Sequence, residues 1–239
     1  MSEPWIAASS AEEFVELLRT EQRNGGAAAK GLSSVQNFER LQMRCFLLGI
    51  VGSWEFGFPV AVNHTSHRNP DFVIVAPPRR TIGVECSRIT NEKIGRLRKL
   101  AATGKIRSGY SVSSAMKPGK KKTPSLLNEA TLNVQMVFPT TAADQRRFYL
   151  QRSDEVIAEK TAAMDKEDYQ PCNQYWLLLT DDMSFDRAEI EERCGLIHGR
   201  VKEFWRKRHK WFSRIVIQDR SLGWHVQITK DGITSRTTG

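Results

Sequence analysis

Residues 69–90 read NPDFVIVAPPRRTIGVECSRIT and constrain the fold more than any other stretch. Two short runs, Phe72-Val73-Ile74-Val75 and Ile82-Gly83-Val84, are rich in β-branched residues and have strand length. Pro77-Pro78-Arg79-Arg80 between them is a turn signal, so the expectation is a β-hairpin. Each strand carries one carboxylate: Asp71 starts the first and Glu85 ends the second. An acid within an apolar strand is costly unless it is hydrogen-bonded, paired or bound to a cation. On neighbouring strands two such acids can converge on one point and form a hard-oxygen site suited to Mg²⁺. The competing reading is a plain surface hairpin with two solvated acids.

Upstream, Ser10-Ala11-Glu12-Glu13 has capping-box form and predicts a helix to about Glu21, ended at Asn24-Gly25-Gly26. Residues 1–33 are therefore expected to form an N-terminal helix and linker, an addition to the core or an oligomerisation arm. Residues 34–52 predict a second helix, because Val35, Phe38, Leu41, Gln42, Cys45, Phe46 and Leu48 repeat near the helical period. Phe58 to Val62 reads as a first core strand. His64 and His67 then fall in the loop before the hairpin, solvated or touching phosphate or a cation.

Downstream, residues 154–166 predict a helix with Val156, Ile157, Thr161 and Met164 on one face and Lys160 close to it. Residues 174–180, QYWLLLT, form a near-continuous apolar run, the signature of a strand buried on both faces. Residues 187–205 predict a helix in which Cys194-Gly195 is a candidate break. Residues 205–212 interleave Trp with Arg and Lys, which suits nucleic-acid contact and equally suits basic chains packed over indoles. Residues 212–218 and 223–229 read as two closing strands, and 230–239 as a frayed, flexible tail.

Charge narrows the partners. The chain of 239 residues carries a formal net charge of +9. Residues 91–122 hold ten Lys and Arg against one acid, Glu92, a net +9 equal to that of the whole chain. The basic character is thus concentrated in one segment, which points to a polyanion such as nucleic acid. Lys93, Arg96, Arg98, Lys99, Lys105, Arg107, Lys120, Lys121 and Lys122 are the candidate phosphate contacts, with a solvated insertion as the alternative. Cys45, Cys86, Cys172 and Cys194 are widely spaced without a CxxC, so free thiols in a reducing cytoplasm are expected. No run approaches the ~20 apolar residues of a membrane span, and the first residues lack the basic start of a signal peptide.

The hairpin resembles the PD-(D/E)xK nuclease superfamily. Pro70-Asp71 matches the first half of its motif and Glu85-Cys86-Ser87 the second, with Ser87 where the family usually has lysine. The order of helix, strand, hairpin, helix and buried strand is similar to that family's core. The resemblance implies an α/β fold with a mixed central β-sheet flanked by helices, a restriction-endonuclease-like core over residues 34–229, interrupted by the basic insertion 91–125. It further implies Mg²⁺ (or Mn²⁺) held by Asp71, Glu85 and the backbone carbonyl of Cys86. Glu39 matches by position a helix glutamate that the family often places near the metal. Some members carry the missing lysine on the following helix, which makes Lys160 the candidate for that charge, with Lys166 behind it.

The function expected is metal-dependent hydrolysis of phosphodiester bonds, most naturally in DNA, with a homodimer needed for paired cuts. The alternative is a module that keeps the fold, binds nucleic acid or protein, and has lost the chemistry, as the change at Ser87 would suggest. GxxxxGK[ST] and GxGxxG are absent, and nothing resembles a Ser-His-Asp hydrolase.

Overall fold

The computed structural model describes residues 4–24, 33–53, 57–65, 70–89, 142–181, 187–207, 211–219 and 223–237. Residues 1–88 with 156–239 form one compact unit, and residues 89–155 a second. The basic segment 91–125, with every lysine and arginine named above from Lys93 to Lys122, lies outside the described residues, as does His67.

The first unit is an α/β structure around a mixed eight-stranded sheet whose spatial order follows the chain. Its strands are β1 (Ile6–Ala8), β2 (Val60–His64), β3 (Phe72–Ala76), β4 (Arg80–Ile89), β5 (Gln174–Asp181), β6 (Phe212–Gln218), β7 (Trp224–Thr229) and β8 (Gly232–Thr237). The helices are α1 (Ala11–Asn24), α2 (Ser34–Ile50), α3 (Ala142–Met164) and α4 (Arg187–Lys207). Strands β1 to β4 are antiparallel neighbours, β5 and β6 are parallel, and β6 to β8 are again antiparallel. Of the second unit, Ile89 and the first part of α3 are described; within it Ser153 Oγ donates to the Tyr149 carbonyl.

Alternation along the strands assigns the two faces of the sheet. Val60, Val62, Phe72, Ile74, Ile82, Val84, Cys86, Trp176, Leu178 and Val216 join Phe14 and Leu18 of α1 and Met43, Phe46 and Leu47 of α2 in one apolar cluster. Residues of the other parity, Asp71, Val73, Gly83, Glu85, Tyr175 and Leu177, therefore belong to the opposite face. Cutting the central strands' apolar side chains off from water is the main stabilising contribution, worth ~1.5–3 kcal/mol for each fully buried large aliphatic or aromatic residue. Within α4, Ile190, Cys194, Ile197 and Val201 are buried, and the helix packs on β7 and β8.

Several boundaries differ from expectation. Residues 4–24, set apart in the sequence as an appendage, supply β1 to the sheet edge and the buried Phe14 and Leu18 to the core. A three-residue strand is too short to show a period, which is why β1 escapes notice. The expected frayed tail is instead β8, turned back on β7 at Lys230-Asp231, with Gly232 at φ 151 where a side chain would be strained. Strand β4 runs on to Ile89, so Glu85 lies inside it rather than at its end, and His64 ends β2 rather than lying in a loop. Helix α3 begins at Ala142, and α4 continues through Cys194-Gly195 without a break. Val35 and Leu41, counted on the apolar side of α2, are exposed. The four cysteines are free thiols.

Candidate active site

Asp71 is delivered by a pinned loop end. Thr65 donates its N–H to the Asp71 carbonyl at 2.9 Å and its hydroxyl to the Pro70 carbonyl, tying the end of β2 to the start of β3. The β3–β4 register pairs Phe72 with Val84 and Val73 with Gly83. Continued by one rung, it sets Asp71 opposite Glu85 on the same face. Like charges directly opposite on adjacent strands repel, so this pair demands a cation.

Lys160 of α3 supplies one. Its Nζ donates to Glu85 Oε2 at 2.6 Å and lies 3.7 Å from Asp71 Oδ2. Asp71 Oδ2 also accepts the Cys86 backbone N–H at 2.8 Å. Glu85 is fully buried, and its other oxygen, Oε1, accepts the Tyr169 hydroxyl at 2.8 Å. The three residues singled out as catalytic candidates, Asp71, Glu85 and Lys160, are thus brought together. Lys166 stands in the turn after α3 and is exposed.

Gly83 makes room for this arrangement. A Cβ there would meet Pro70 Cγ at 2.8 Å and Tyr175 Cδ1 at 2.9 Å, so only glycine lets both rings close over β4 beside the two acids.

The electrostatics follow from burial. Desolvation pushes the Asp71 carboxyl up from 3.8 to about 7; Lys160 and the Cys86 N–H pull it down, while Glu85 and Glu39 add to the rise. For Lys160 burial acts to lower the pKa, but the Asp71 and Glu85 carboxylates outweigh it and hold the ammonium above its usual range. Burial, and then Glu85, push the Tyr169 phenol well up, so it keeps its proton and acts as a donor. Burial also pushes the Cys86 thiol well above its usual range, which leaves its side chain unreactive.

Glu39 is placed differently. Its Oε2 pairs with His64 Nε2 at 3.3 Å, and His64 Nδ1 accepts Arg40 Nε at 3.2 Å. His64 is therefore the tautomer with its proton on Nε2, donating to Glu39. Its ring stacks on Phe72 at 4.6 Å, on the α2 side of the sheet. Glu39 and Glu85 thus belong to opposite faces, with Asp71 feeling the field of both. Among the described residues no group of three or more His, Cys, Asp or Glu side chains is placed to hold a metal.

Three participants were not anticipated in these roles. Asp168-Tyr169-Gln170-Pro171 reads in the sequence only as a stop after the helix, and the one signal at Tyr169 is an aromatic in a polar turn. His64 was read as a loop residue. Gln42 was counted with the apolar side of α2, yet a polar residue there requires buried partners. Its Nε2 donates to the Leu178 carbonyl at 2.9 Å and the Ser87 carbonyl at 3.3 Å.

No protein-family model matches the chain, and neither a curated protein nor a solved structure does. Among the described residues no helix is long and apolar enough to cross a membrane.

Proposed function

We propose that the chain is a metal-dependent nuclease of the PD-(D/E)xK type, hydrolysing phosphodiester bonds, most naturally in DNA. The observation that carries this reading is the placement of Asp71 and Glu85 on one face of adjacent strands with Lys160 Nζ against both. The order β2, β3–β4 hairpin, α3, β5 supports it as well, because it follows the element order that the motif resemblance implies.

The donor set fits Mg²⁺ or Mn²⁺. Asp71 and Glu85 would hold the ion with the Cys86 carbonyl. Mg²⁺ characteristically takes one or two carboxylates and keeps water and substrate phosphate in its other positions. The bound ion supplies a lowered water pKa and neutralises charge on the phosphate.

The chain's own residues do the rest. The Cys86 N–H fixes Asp71 by one oxygen. Lys160, on α3 rather than at Ser87, brings a positive charge to the same point, suited to a phosphate oxygen or an attacking water. The basic residues Lys93, Arg96, Arg98, Lys99, Lys105, Arg107, Lys120, Lys121 and Lys122 would hold the nucleic-acid backbone through salt-sensitive contacts.

The test is cleavage of plasmid and linear DNA with Mg²⁺ or Mn²⁺, wild type beside Asp71→Ala, Glu85→Ala and Lys160→Ala. Cutting that requires metal and both acids supports the reading. Salt-sensitive DNA binding without cleavage, unchanged in the acid variants, would replace it with the binding-module reading. The Lys160–Glu85 ion pair favours that second reading to the extent that it neutralises the site internally.

A further inference from the structure

We infer that Tyr169 is a positioning residue for Glu85: its hydroxyl commits one carboxylate oxygen and leaves the other, Oε2, as the oxygen offered to a cation. The inference rests on the proposed metal site and adds a residue to it that no part of the motif supplies.

Glu85 is fully buried and has one partner on each oxygen, Tyr169 on Oε1 and Lys160 on Oε2. The two partners differ in kind. Lys160 is a cation on a flexible stem, and its Nζ is shared with Asp71 Oδ2 at 3.7 Å. Tyr169 is neutral, so it does not oppose a second cation, and its phenol moves only with its ring. The terminal torsion of a glutamate is broad and roughly two-fold. A donor fixed on one oxygen removes that freedom and sets the plane of the carboxylate.

The surroundings hold the ring in place. Tyr169 N–H donates to the Lys166 carbonyl at 3.2 Å, closing the turn after α3. Its ring meets Tyr175 in a T-shaped contact at 5.6 Å. The Tyr175 hydroxyl accepts the Cys172 N–H at 2.8 Å and donates to the Gln170 carbonyl at 3.2 Å, which fastens the segment following Tyr169 to the start of β5. Asn173 anchors the same segment to Thr81 of β4, two positions from Gly83, through Asn173 N–H to the Thr81 carbonyl and Thr81 N–H to Asn173 Oδ1. The phenol is therefore mounted on the strands that carry the site.

Partners that orient a ligating carboxylate typically set metal affinity by ~10–100-fold. The experiment is Mn²⁺ titration of the full chain by calorimetry, wild type beside Tyr169→Phe, Tyr175→Phe and Glu85→Ala, with thermal melting to confirm folding and DNA cleavage measured across Mn²⁺ concentration. Phe keeps the ring and its contact with Tyr175 and removes only the donor. The expected result is Mn²⁺ affinity lower by about 10-fold or more in Tyr169→Phe, with cleavage largely regained at saturating Mn²⁺. Tyr175→Phe loosens the mounting of the segment but leaves the Tyr169 hydroxyl in place, and is expected to lose clearly less affinity than Tyr169→Phe. Equal affinity for Tyr169→Phe and wild type overturns the positioning role and leaves the metal site standing. An equal loss in both tyrosine variants also overturns it, because the segment's folding rather than the hydroxyl would then be responsible. A wild type that binds no Mn²⁺, or binds it as well after Glu85→Ala, overturns the metal site and the positioning role together.

Discussion

Lys160 Nζ lies 2.6 Å from Glu85 Oε2, across a sequence separation of 75 residues, and 3.7 Å from Asp71 Oδ2. A metal bound as proposed would compete with the lysine for the Glu85 carboxylate as well as act beside it. Lys160→Met should bind Mg²⁺ or Mn²⁺ more tightly than wild type, on the order of 10-fold, equivalent to ~1.4 kcal/mol, while cleaving DNA more slowly. Without metal the variant should be less stable. Breaking a buried pair costs ~3–5 kcal/mol, and because the Lys160 side chain is 21% exposed the expected loss is about 1–3 kcal/mol. Urea unfolding in chelator and in Mg²⁺ checks both parts, since the ion should restore most of the loss.

Asp71 makes stability depend on pH. Its carboxyl is raised from 3.8 to about 7, so the folded state favours the protonated form. The contribution to stability is complete below pH 3.8 and is lost as pH rises through 7. In the absence of metal, Asp71→Asn should therefore be more stable than wild type above pH 7, with the difference closing towards pH 4. A shift of roughly three units has a ceiling of about 4 kcal/mol; partial exposure reduces this to an expected ~1–2 kcal/mol. A metal bound as proposed would compete with the proton for this carboxylate, so Mn²⁺ affinity should rise between pH 6 and pH 8. Denaturation and metal titration over that range provide the check.

Gly83 is a packing requirement rather than a hinge. Its Cβ position is 2.8 Å from Pro70 Cγ and 2.9 Å from Tyr175 Cδ1. Gly83→Ala must displace Pro70, and Asp71 with it, or the Tyr175 ring. The expected cost is about 1–3 kcal/mol, as for overpacking generally, together with weaker Mn²⁺ binding. Unchanged stability by thermal or urea unfolding would show that both rings can yield.

Gln42 ties α2 to the sheet through the Ser87 and Leu178 carbonyls. Gln42→Glu keeps the shape and replaces the donor with a buried acid facing carbonyl oxygens. It should cost about 1–3 kcal/mol at pH 7, and the loss should shrink in acid as the new carboxyl protonates and can donate again. Denaturation at pH 7 and pH 5 measures it.

Much of this cluster of side chains is legible in the sequence alone. The hairpin follows from two β-branched runs around Pro77-Pro78, because strand period and turn chemistry are local properties. The choice of Asp71 and Glu85 follows from the cost of an acid in an apolar strand. Lys160 was reachable through the resemblance, which allows the missing lysine to stand on the helix that precedes the buried strand β5. The hairpin and the two acids need only neighbours within a few residues and one argument about burial.

What remained hidden depends on which side of a sheet a residue takes and on partners far along the chain. Glu39 and Glu85 are both plausible ligands in one dimension; the sheet separates them, turning Glu39 to His64 and Glu85 to Lys160 and Tyr169. Strands β1 and β8 exist because β2 and β7 each offer an open row of backbone donors and acceptors, a demand invisible in segments of three and six residues. Tyr169 acquires a role only when the turn after α3 folds back against β4 and β5. Hydrophobic period and local hydrogen bonding are written in consecutive residues, whereas the pairing of buried charges is a property of the packed sheet.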